Sequence, residues 1–165
     1  MADDPSGRDG GDPPARFRLR LAGPADAVAL KGLVDSAYRH YIPLLGRMPK
    51  PMLADYAAAV DRHDVWLLED ADGIAAILEL ADHGDQLWIE NVAVDPSRQG
   101  RGLGRWLLGL AEREARRLGR TELGLLTNER YLANIALYER HGYRETRREP
   151  YQGSDLVYFR KTLQG

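Results

Sequence analysis

Residues 92–104 of the sequence, VAVDPSRQGRGLG, predict three structural parts in direct succession. The apolar residues 92–94 predict the end of a buried strand, and the helical spacing of apolar residues from Leu103 onward predicts a helix. The glycines between them predict a tight loop, because glycine takes positive φ and lets the backbone approach a ligand closely. Such a loop directs successive N–H groups and a helix N-terminus towards one point, which is an arrangement that binds phosphate groups. Arg98 and Arg101 add positive charge to the loop.

The spacing of the glycines excludes two common phosphate-binding motifs. The dinucleotide fingerprint G-x-G-x-x-G fails, since Arg105 stands where the third glycine would follow Gly100 and Gly102. The P-loop needs Gly-Lys followed by Ser or Thr, and the sequence contains no such tripeptide. Taken alone, the stretch is also compatible with a glycine-rich turn that binds no ligand.

Length, composition and charge exclude several function classes. With 165 residues, 44% of them hydrophobic, the chain is long enough for one domain with a sizeable core. The net charge of −2 provides no overall basic field for nucleic acid or for an anionic membrane surface. We expect no transmembrane helix, because no run of about 18 apolar residues occurs. The acidic N-terminus has no apolar segment typical of a signal peptide, so a cytoplasmic location is expected.

The cysteine and histidine content of the sequence limits the possible chemistry. The sequence contains no cysteine, which excludes disulfides, thiolate metal sites and a cysteine nucleophile. The histidines, at positions 40, 63, 83 and 141, lack the spacing of metal ligands on a helix. We therefore expect no metal site.

The apolar patterns predict one domain over residues 16–165, with the element order β-α-α-β-β-β-α-β-α-β-β. Residues 1–15, MADDPSGRDGGDPPA, are rich in Asp, Gly and Pro and predict a disordered tail. The predicted strands cover residues 17–21, 65–69, 74–80, 87–94, 122–127, 143–147 and 156–161. The predicted helices cover residues 24–41, 52–62, 103–118 and 128–140.

Two blocks of the sequence resemble the GNAT N-acetyltransferases. Gln99, Gly102 and Gly104 match the family's Gln/Arg-x-x-Gly-x-Gly/Ala loop, which follows an apolar strand and a Val-Asp-Pro segment. Residues 134–143, NIALYERHGY, resemble the family's later block, which ends in Tyr-Glu-Lys/Arg-x-Gly-Phe/Tyr. The blocks span about residues 87–143, and the element order extends the resemblance to about residues 17–163. The resemblance implies an α/β (α+β) fold with a mixed, mostly antiparallel sheet of six or seven strands flanked by about four helices.

The resemblance also implies acetyl-coenzyme A as the co-substrate. The glycine loop would hold the pyrophosphate, and the backbone of a bulged strand that splays from its neighbour would bind the pantetheine arm. A backbone N–H near Val92 would face the thioester oxygen. The cofactor-binding residues so implied are Val92, Ala93, Val94, Arg98, Gln99, Gly100, Arg101, Gly102, Leu103, Gly104, Asn134 and Tyr138.

The second block departs from the family pattern at one position. Many members carry an asparagine seven residues before the tyrosine, where this chain has Tyr131. Asn134 stands four residues before Tyr138, and Asn128 lies further upstream. Which of these two asparagines contacts the cofactor is left open.

Two residues are candidates for the catalytic proton transfers. In the resemblance, Tyr138 lies beside the coenzyme A sulfur, and a phenol pKa near 10 is close enough to a thiol pKa near 8.5 for Tyr138 to act as the general acid. Glu90 lies in the central strand, and period-two counting places it in one apolar row with Trp88, Val92 and Val94, opposite to Asn91. A carboxylate in such a row is unusual, so Glu90 is the candidate general base or amine-binding group. The alternatives are a tyrosine that only packs its ring and a glutamate that pairs with an arginine.

The sequence features that indicate an acceptor site are less specific than the motifs of the cofactor site. Residues 38–52 are too apolar for a plain solvated loop and predict either a packed connection or a wall of the acceptor pocket. The substrate-binding candidates are Tyr38, Tyr41, Arg47, Glu90 and Tyr151.

The resulting hypothesis is an acetyl-CoA-dependent N-acetyltransferase that acts by direct transfer in a ternary complex. The acceptor would be a small-molecule amine or a peptide N-terminus, with no nucleic acid or membrane partner, and a homodimer is left open. One alternative is a non-catalytic acetyl-CoA-binding sensor or scaffold. Another is a different acyl donor, such as succinyl-CoA.

Overall fold

The computed structural model describes residues 11–164, and its elements follow the predicted order with one additional helical turn. The strands are β1 (Arg18–Leu21), β2 (Asp64–Asp70), β3 (Gly73–Asp82), β4 (Leu87–Val94), β5 (Glu122–Asn128), β6 (Arg144–Tyr151) and β7 (Ser154–Thr162). The helices are α1 (Ala27–Tyr38), α2 (Ile42–Leu45), α3 (Tyr56–Arg62), α4 (Leu103–Arg117) and α5 (Leu132–Arg140). Short 3₁₀ turns cover Pro24–Asp26, Arg39–Tyr41, Lys50–Leu53 and Pro96–Arg98.

The strands form a seven-stranded sheet in the order β1-β2-β3-β4-β5-β7-β6. All neighbouring pairs are antiparallel except β4 and β5, which are parallel. A parallel pair needs a crossover connection, and α4 provides it. The structure therefore confirms the predicted α/β fold with a mixed, mostly antiparallel sheet.

Several predicted boundaries shift. The helix predicted over residues 24–41 is divided into two 3₁₀ turns with α1 between them. α5 begins at Leu132 and not at residue 128, because Asn128 still pairs with Leu156 in the sheet and its side chain accepts a hydrogen bond from the N–H of Arg130. Of the predicted disordered tail, residues 1–10 lie outside the described residues.

Helices cover both faces of the sheet and divide the core into two clusters. On one face, the buried leucines and alanines of α4, with Tyr138 of α5, pack against side chains of β3 and β4 such as Leu78 and Val92. On the other face, α1 and α3 pack against the alternate residues of the same strands, such as Ile77 and Ala93. Residues that alternate along a strand thus contribute to opposite layers.

A β-bulge in β4 changes this alternation beside Glu90. Glu79 of β3 pairs with Asn91, whereas the next residue of β3, Leu80, pairs with Ile89, so Glu90 is the extra residue. Two residues on the bulged strand oppose one on its partner, and the residues beyond the bulge therefore exchange faces relative to a strict period of two.

The predicted row of Glu90 with Val92 and Val94 is therefore wrong. Val92 packs in the cluster beneath α4. Asn91 points towards α1 and α3, where its side chain bonds to the hydroxyls of Tyr38 and Tyr56. Asn91 and Glu90 thus line the same cavity, contrary to the prediction that they face opposite sides.

The bulge coincides with the point at which β4 and β5 separate. These strands pair only at Leu87–Ile89 of β4, opposite residues 123–125 of β5. Beyond the bulge, the carboxyl end of β4 leaves β5 and continues to pair with β3 alone. The splay opens the sheet at its centre and creates space on both sides of β4.

Candidate active site

Two cavities adjoin the splayed end of β4. The larger, of about 1030 Å³, lies against the glycine loop, the N-terminus of α4 and one side of α5. The smaller, of about 190 Å³, lies against the bulge, the connection between α2 and α3, and the turn between β6 and β7. Tyr38, Val92 and Tyr138 line both cavities, so the two spaces adjoin at these three residues.

The backbone of the glycine loop shapes the larger cavity. Gly100 and Gly102 have φ of 82° and 76°, a conformation that residues with a side chain rarely adopt. Gly102 is the N-cap of α4, and the N–H of Trp106 is the first to bond back to its carbonyl. The N–H groups of the first turn of α4 therefore have no partner within the helix and remain available to an anion.

Gly104 is required for a different reason, which is the close approach of α5. A Cβ at this position would lie 3.3 Å from Cδ2 of Leu137 and 3.9 Å from Cγ2 of Val94. Both spaced glycines of the predicted motif, Gly102 and Gly104, therefore have a conformational or steric role in the groove.

The charges around the groove differ from the prediction at two arginines. Arg98 lines the larger cavity, but its guanidinium forms two hydrogen bonds to Asp70, at 2.7 and 3.1 Å, and a further one to Asp95. These bonds raise the pKa of Arg98 and hold the pKa of Asp70 below its ordinary value. The positive charge of Arg98 is thus compensated, and its side chain ties the loop to the β2–β3 hairpin.

Arg101 is exposed and does not contribute to the lining, whereas Arg105, on the first turn of α4, does. The sequence prediction did not include Arg105, because it assigned the positive charge of the site to arginines within the loop. The signal was the predicted helix start at Leu103, which brings residues of the first turn to the anion site.

The two candidate asparagines have different positions. Asn134 lines the larger cavity from the first turn of α5. The side chain of Asn128 donates to Oγ of Ser154 at 2.8 Å and accepts from the N–H of Arg130 at 3.0 Å, so it closes the turn between β5 and α5. Tyr131, which occupies the usual asparagine position, is buried with its ring centroid 4.1 Å from that of Tyr41. This arrangement favours Asn134 as the asparagine of the groove.

Tyr138 lies where the two cavities meet. The residue is only 5% exposed, and its ring centroid lies 6.0 Å from that of Tyr143 and 6.2 Å from that of Phe159. Among residues 11–164 its hydroxyl has no hydrogen-bond partner, so it is free to contact a molecule bound where the cavities meet. Burial raises the pKa of Tyr138, which keeps the phenol protonated at neutral pH, as a general acid must be.

The smaller cavity contains two carboxylates on one wall. Glu90 is exposed at the bulge, and no salt bridge to it is found in the described part of the chain, so it is not the arginine-paired residue of the alternative interpretation. Glu79 of β3 is buried, and its carboxylate lies 2.7 Å from Nδ1 of His63. Burial, together with the nearby Glu90, raises the pKa of Glu79.

Sequence reasoning missed Glu79. The signal was available in the strand sequence ILELAD, residues 77–82, because a carboxylate stands there among apolar residues just as Glu90 does.

The predicted acceptor residues divide between the two cavities. Tyr38, Arg47, Glu90 and Tyr151 line the smaller cavity. Tyr41 lines only the larger cavity, because it belongs to the 3₁₀ turn after α1 and its ring packs against those of His40 and Tyr131. The position predicted for Tyr41 in the acceptor pocket is therefore corrected.

The described part of the chain has neither a metal-binding cluster nor a membrane-spanning helix. Within residues 11–164, no three or more His, Asp or Glu side chains are grouped so as to hold a metal ion. No helix of this part of the chain has both the length and the apolar character needed to cross a membrane.

Comparisons with known proteins agree with this geometry. A family model described as an acetyltransferase (GNAT) domain matches residues 61–145, which include the bulge, the glycine loop and α5. No curated protein matches the sequence.

Several solved structures share the fold. The yncA protein of Salmonella typhimurium, solved with its cofactor acetyl-CoA, is 23% identical, with a TM-score of 0.70 over 90% of this chain and 95% of that one. The ribosomal-protein-S18-alanine N-acetyltransferase of Escherichia coli is 22% identical, with a TM-score of 0.74 over 90% and 95%. A nourseothricin acetyltransferase is 21% identical, with a TM-score of 0.71 over 91% and 100%.

Proposed function

We propose that this chain, which belongs to the GNAT acetyltransferase family, transfers an acetyl group from acetyl-CoA directly to a primary amine in a ternary complex. One observation carries the proposal: a large groove and a small cavity adjoin across the splayed end of β4 at Tyr38, Val92 and Tyr138. A donor and an acceptor bound in these two spaces would meet beside a tyrosine and a glutamate suited to proton transfer.

The groove has the groups that acetyl-CoA requires. The N–H groups at the start of α4 that have no partner within the helix, the glycines with positive φ and Arg105 suit a diphosphate. Beyond the bulge β4 no longer pairs with β5, so its backbone polar groups on that side can bind an extended arm as an added strand would. When bound, acetyl-CoA supplies the thioester carbon that the amine attacks.

Val92, Tyr138 and Glu90 then have distinct roles. The backbone N–H near Val92 donates to the thioester oxygen and stabilises the charge that develops there. Glu90 accepts the proton of the attacking amine, directly or through water, from its exposed position at the bulge. Tyr138 donates a hydrogen bond to the leaving sulfur. The raised pKa of Tyr138 opposes full transfer of its proton to the sulfur. Full transfer therefore requires that the thiolate is desolvated in the same buried space, because desolvation also raises the pKa of the thiol.

The size of the acceptor cavity supports a small amine over a peptide. At about 190 Å³ it is smaller than the roughly 300–1,000 Å³ typical of sites for drug-sized ligands. Relatives of the same fold are named both for a ribosomal-protein alanine and for nourseothricin, so the fold alone does not select between the two acceptor classes. A cytoplasmic location, a metal-free reaction and the absence of nucleic-acid and membrane partners remain predictions.

Acetyl-CoA turnover with a panel of primary amines tests the proposal, with isothermal titration of acetyl-CoA run in parallel. We expect binding and amine-dependent release of coenzyme A. Binding without turnover across small amines and N-terminal peptides would instead favour the sensor or scaffold alternative. Faster turnover with succinyl-CoA than with acetyl-CoA would replace the proposed donor.

A further inference from the structure

We propose that the acceptor is a small zwitterionic amine of the free amino acid class, and that Arg47 binds its anionic group. This inference rests on the proposed N-acetyltransferase function and identifies the acceptor class for the same site. Arg47 lies in the short connection between α2 and α3 and lines the smaller cavity.

The hydrogen-bonding state of Arg47 indicates a missing anionic partner. Its Nη2 is buried and has no hydrogen-bond partner among the residues that the structure describes. Its Nε is 3.5 Å from the carbonyl oxygen of Gln152, which is a long hydrogen bond. No salt bridge to Arg47 is found within residues 11–164. Buried donors in proteins nearly always have an acceptor, so an unpaired guanidinium N–H on a cavity wall indicates that a bound molecule supplies one.

The surroundings hold Arg47 in position before any ligand binds. Its guanidinium carbon lies 5.0 Å from the ring centroid of Tyr151, in cation–π geometry. The two chain segments that carry these residues are joined by Arg130, which donates to the carbonyl of Leu44 at 2.7 Å and to that of Gly153 at 3.3 Å. The position of the guanidinium thus depends on the fold and not on the ligand.

A second cation stands beside the same ring. Nζ of Lys50 lies 5.6 Å from the ring centroid of Tyr151, and Lys50 also lines the cavity. Glu149 interacts electrostatically with Lys50. An anion bound in the cavity beside Tyr151 would be attracted by both of these side chains.

The opposite charge lines a different wall of the cavity. Glu79 and Glu90 reach it from β3 and β4, whereas Arg47 and Lys50 reach it from the α2–α3 connection. A ligand with an amine at one end and a carboxylate at the other complements both walls. A simple monoamine would leave Arg47 without a partner, and a peptide N-terminus would offer it a neutral carbonyl in place of a carboxylate.

Matched acceptors distinguish these cases. We would measure kcat/KM for the free amino acid, the amino-acid amide and the decarboxylated amine derived from alanine, methionine and phenylalanine. The preference for acid over amide would be compared between the wild type and Arg47→Met, because the ratio between the two proteins cancels intrinsic differences in amine basicity. We expect the wild type to prefer the acid, and Arg47→Met to reduce this preference by about 10- to 100-fold, as expected for a lost charged hydrogen bond.

Two further variants keep the result interpretable. Arg47→Lys retains the charge and should keep part of the preference for the acid. Arg62→Met changes an exposed arginine at the end of α3 and should leave the preference unchanged. Equal binding of acetyl-CoA by all variants, measured by isothermal titration, verifies that they are folded.

The outcomes separate this inference from the proposed function. If the wild type acetylates the amides or decarboxylated amines as well as the acids, or if Arg47→Met leaves the acid preference unchanged, the inference is overturned while the N-acetyltransferase function stands. If no amine of any triple is acetylated while another amine of the wider panel is, the inference is overturned and the N-acetyltransferase function stands. If neither the triples nor the wider panel are acetylated, the proposed function is overturned and this inference with it.

Discussion

The two cavities beside β4 are built in different ways. One end of the groove is formed by the consecutive loop residues 98–104 and by the helix that begins there, and residues of α1, α5 and β7 complete its walls. The acceptor cavity is formed by side chains from separate segments, which include the α2–α3 connection, β3, the β4 bulge, β5 and the β6–β7 turn. Changes to backbone conformation should therefore weaken donor binding, whereas changes to side chains should alter the chemistry and the choice of acceptor.

The largest expected effect is at the boundary between the cavities. Tyr138→Phe removes only the hydroxyl and should lower kcat by about 100-fold or more, the usual contribution of a general acid. Acetyl-CoA binding should be retained, because the ring still packs against Tyr143 and Phe159. Steady-state kinetics and isothermal titration measure the two quantities.

Tyr143→Phe is the matched control for this change. Its hydroxyl is buried without a hydrogen-bond partner in the described part of the chain, and its ring adjoins that of Tyr138. Removing the hydroxyl should leave kcat unchanged. Equal losses in the two variants would mean that Tyr138 acts through packing and not as an acid.

The acceptor cavity is tested next by Glu90→Gln. We expect kcat to fall by on the order of 10- to 100-fold near neutral pH if Glu90 is the base. The loss should shrink at higher pH, where the amine is already deprotonated in solution. If Glu90 instead binds the cationic amine, KM for the acceptor should rise with little change in kcat. An unchanged rate at every pH would exclude both roles, and Glu139→Gln, an exposed change on α5, serves as the control.

Acetyl-CoA binding in the groove should depend on the backbone conformation of the glycine loop. Gly102→Ala places a side chain at φ of 76°, which costs about 1 kcal/mol or more. If part of this cost falls on the cofactor-bound loop, the Kd for acetyl-CoA should rise on the order of fivefold. The kcat at saturating acetyl-CoA should be unchanged.

The same substitution at Gly32 provides the contrast. Gly32 is exposed in α1, and a Cβ there would meet no heavy atom within 4 Å. Gly32→Ala should raise stability by about 0.5–1 kcal/mol and leave acetyl-CoA binding unaltered. If both alanine variants bind acetyl-CoA equally well, the loop backbone is not what holds the cofactor.

A contact outside both cavities should affect stability alone. Arg20 forms a bidentate hydrogen bond with Asp26 at 2.8 and 2.9 Å and lowers the pKa of Asp26 to about 2. Since the folded-state pKa lies below the ordinary value of 3.8, this stabilisation is present above pH 4 and is lost as the pH falls towards 2. Because Arg20 is 40% exposed, we expect only about 1 kcal/mol.

Denaturant unfolding between pH 2 and pH 5 measures this contribution. Asp26→Asn should flatten that part of the pH dependence and leave kcat at neutral pH unaltered. An unchanged pH profile in this variant would contradict the assignment of Asp26.

The same contrast explains what the sequence could predict. The groove was predictable because its determinants, from Gln99 to Gly104, are adjacent in the chain and their glycines have a local conformational meaning. The acceptor cavity was less predictable because it depends on partners that are distant in sequence. The faces assigned to Glu90 and Asn91 were wrong, since a bulge is defined by the register with β3 and leaves no mark in the period of β4 itself.

The environments of Arg98 and Tyr41 also depend on partners that are distant in sequence. The compensation of Arg98 by Asp70 requires the β2–β3 hairpin to fold against the loop, which the sequence does not display. The position of Tyr41 in the larger cavity likewise depends on the packing of its ring against Tyr131, ninety residues further along the chain. The roles assigned to Tyr138, Glu90 and the cofactor-binding residues stay predictions.

The central claim is that acetyl transfer takes place across the splayed end of β4, with donor and acceptor bound at the same time. Initial velocities measured over a grid of acetyl-CoA and amine concentrations test it most directly. We predict double-reciprocal lines that intersect, as a ternary complex requires. Parallel lines, which indicate an acetylated enzyme and departure of coenzyme A before the amine binds, would contradict it.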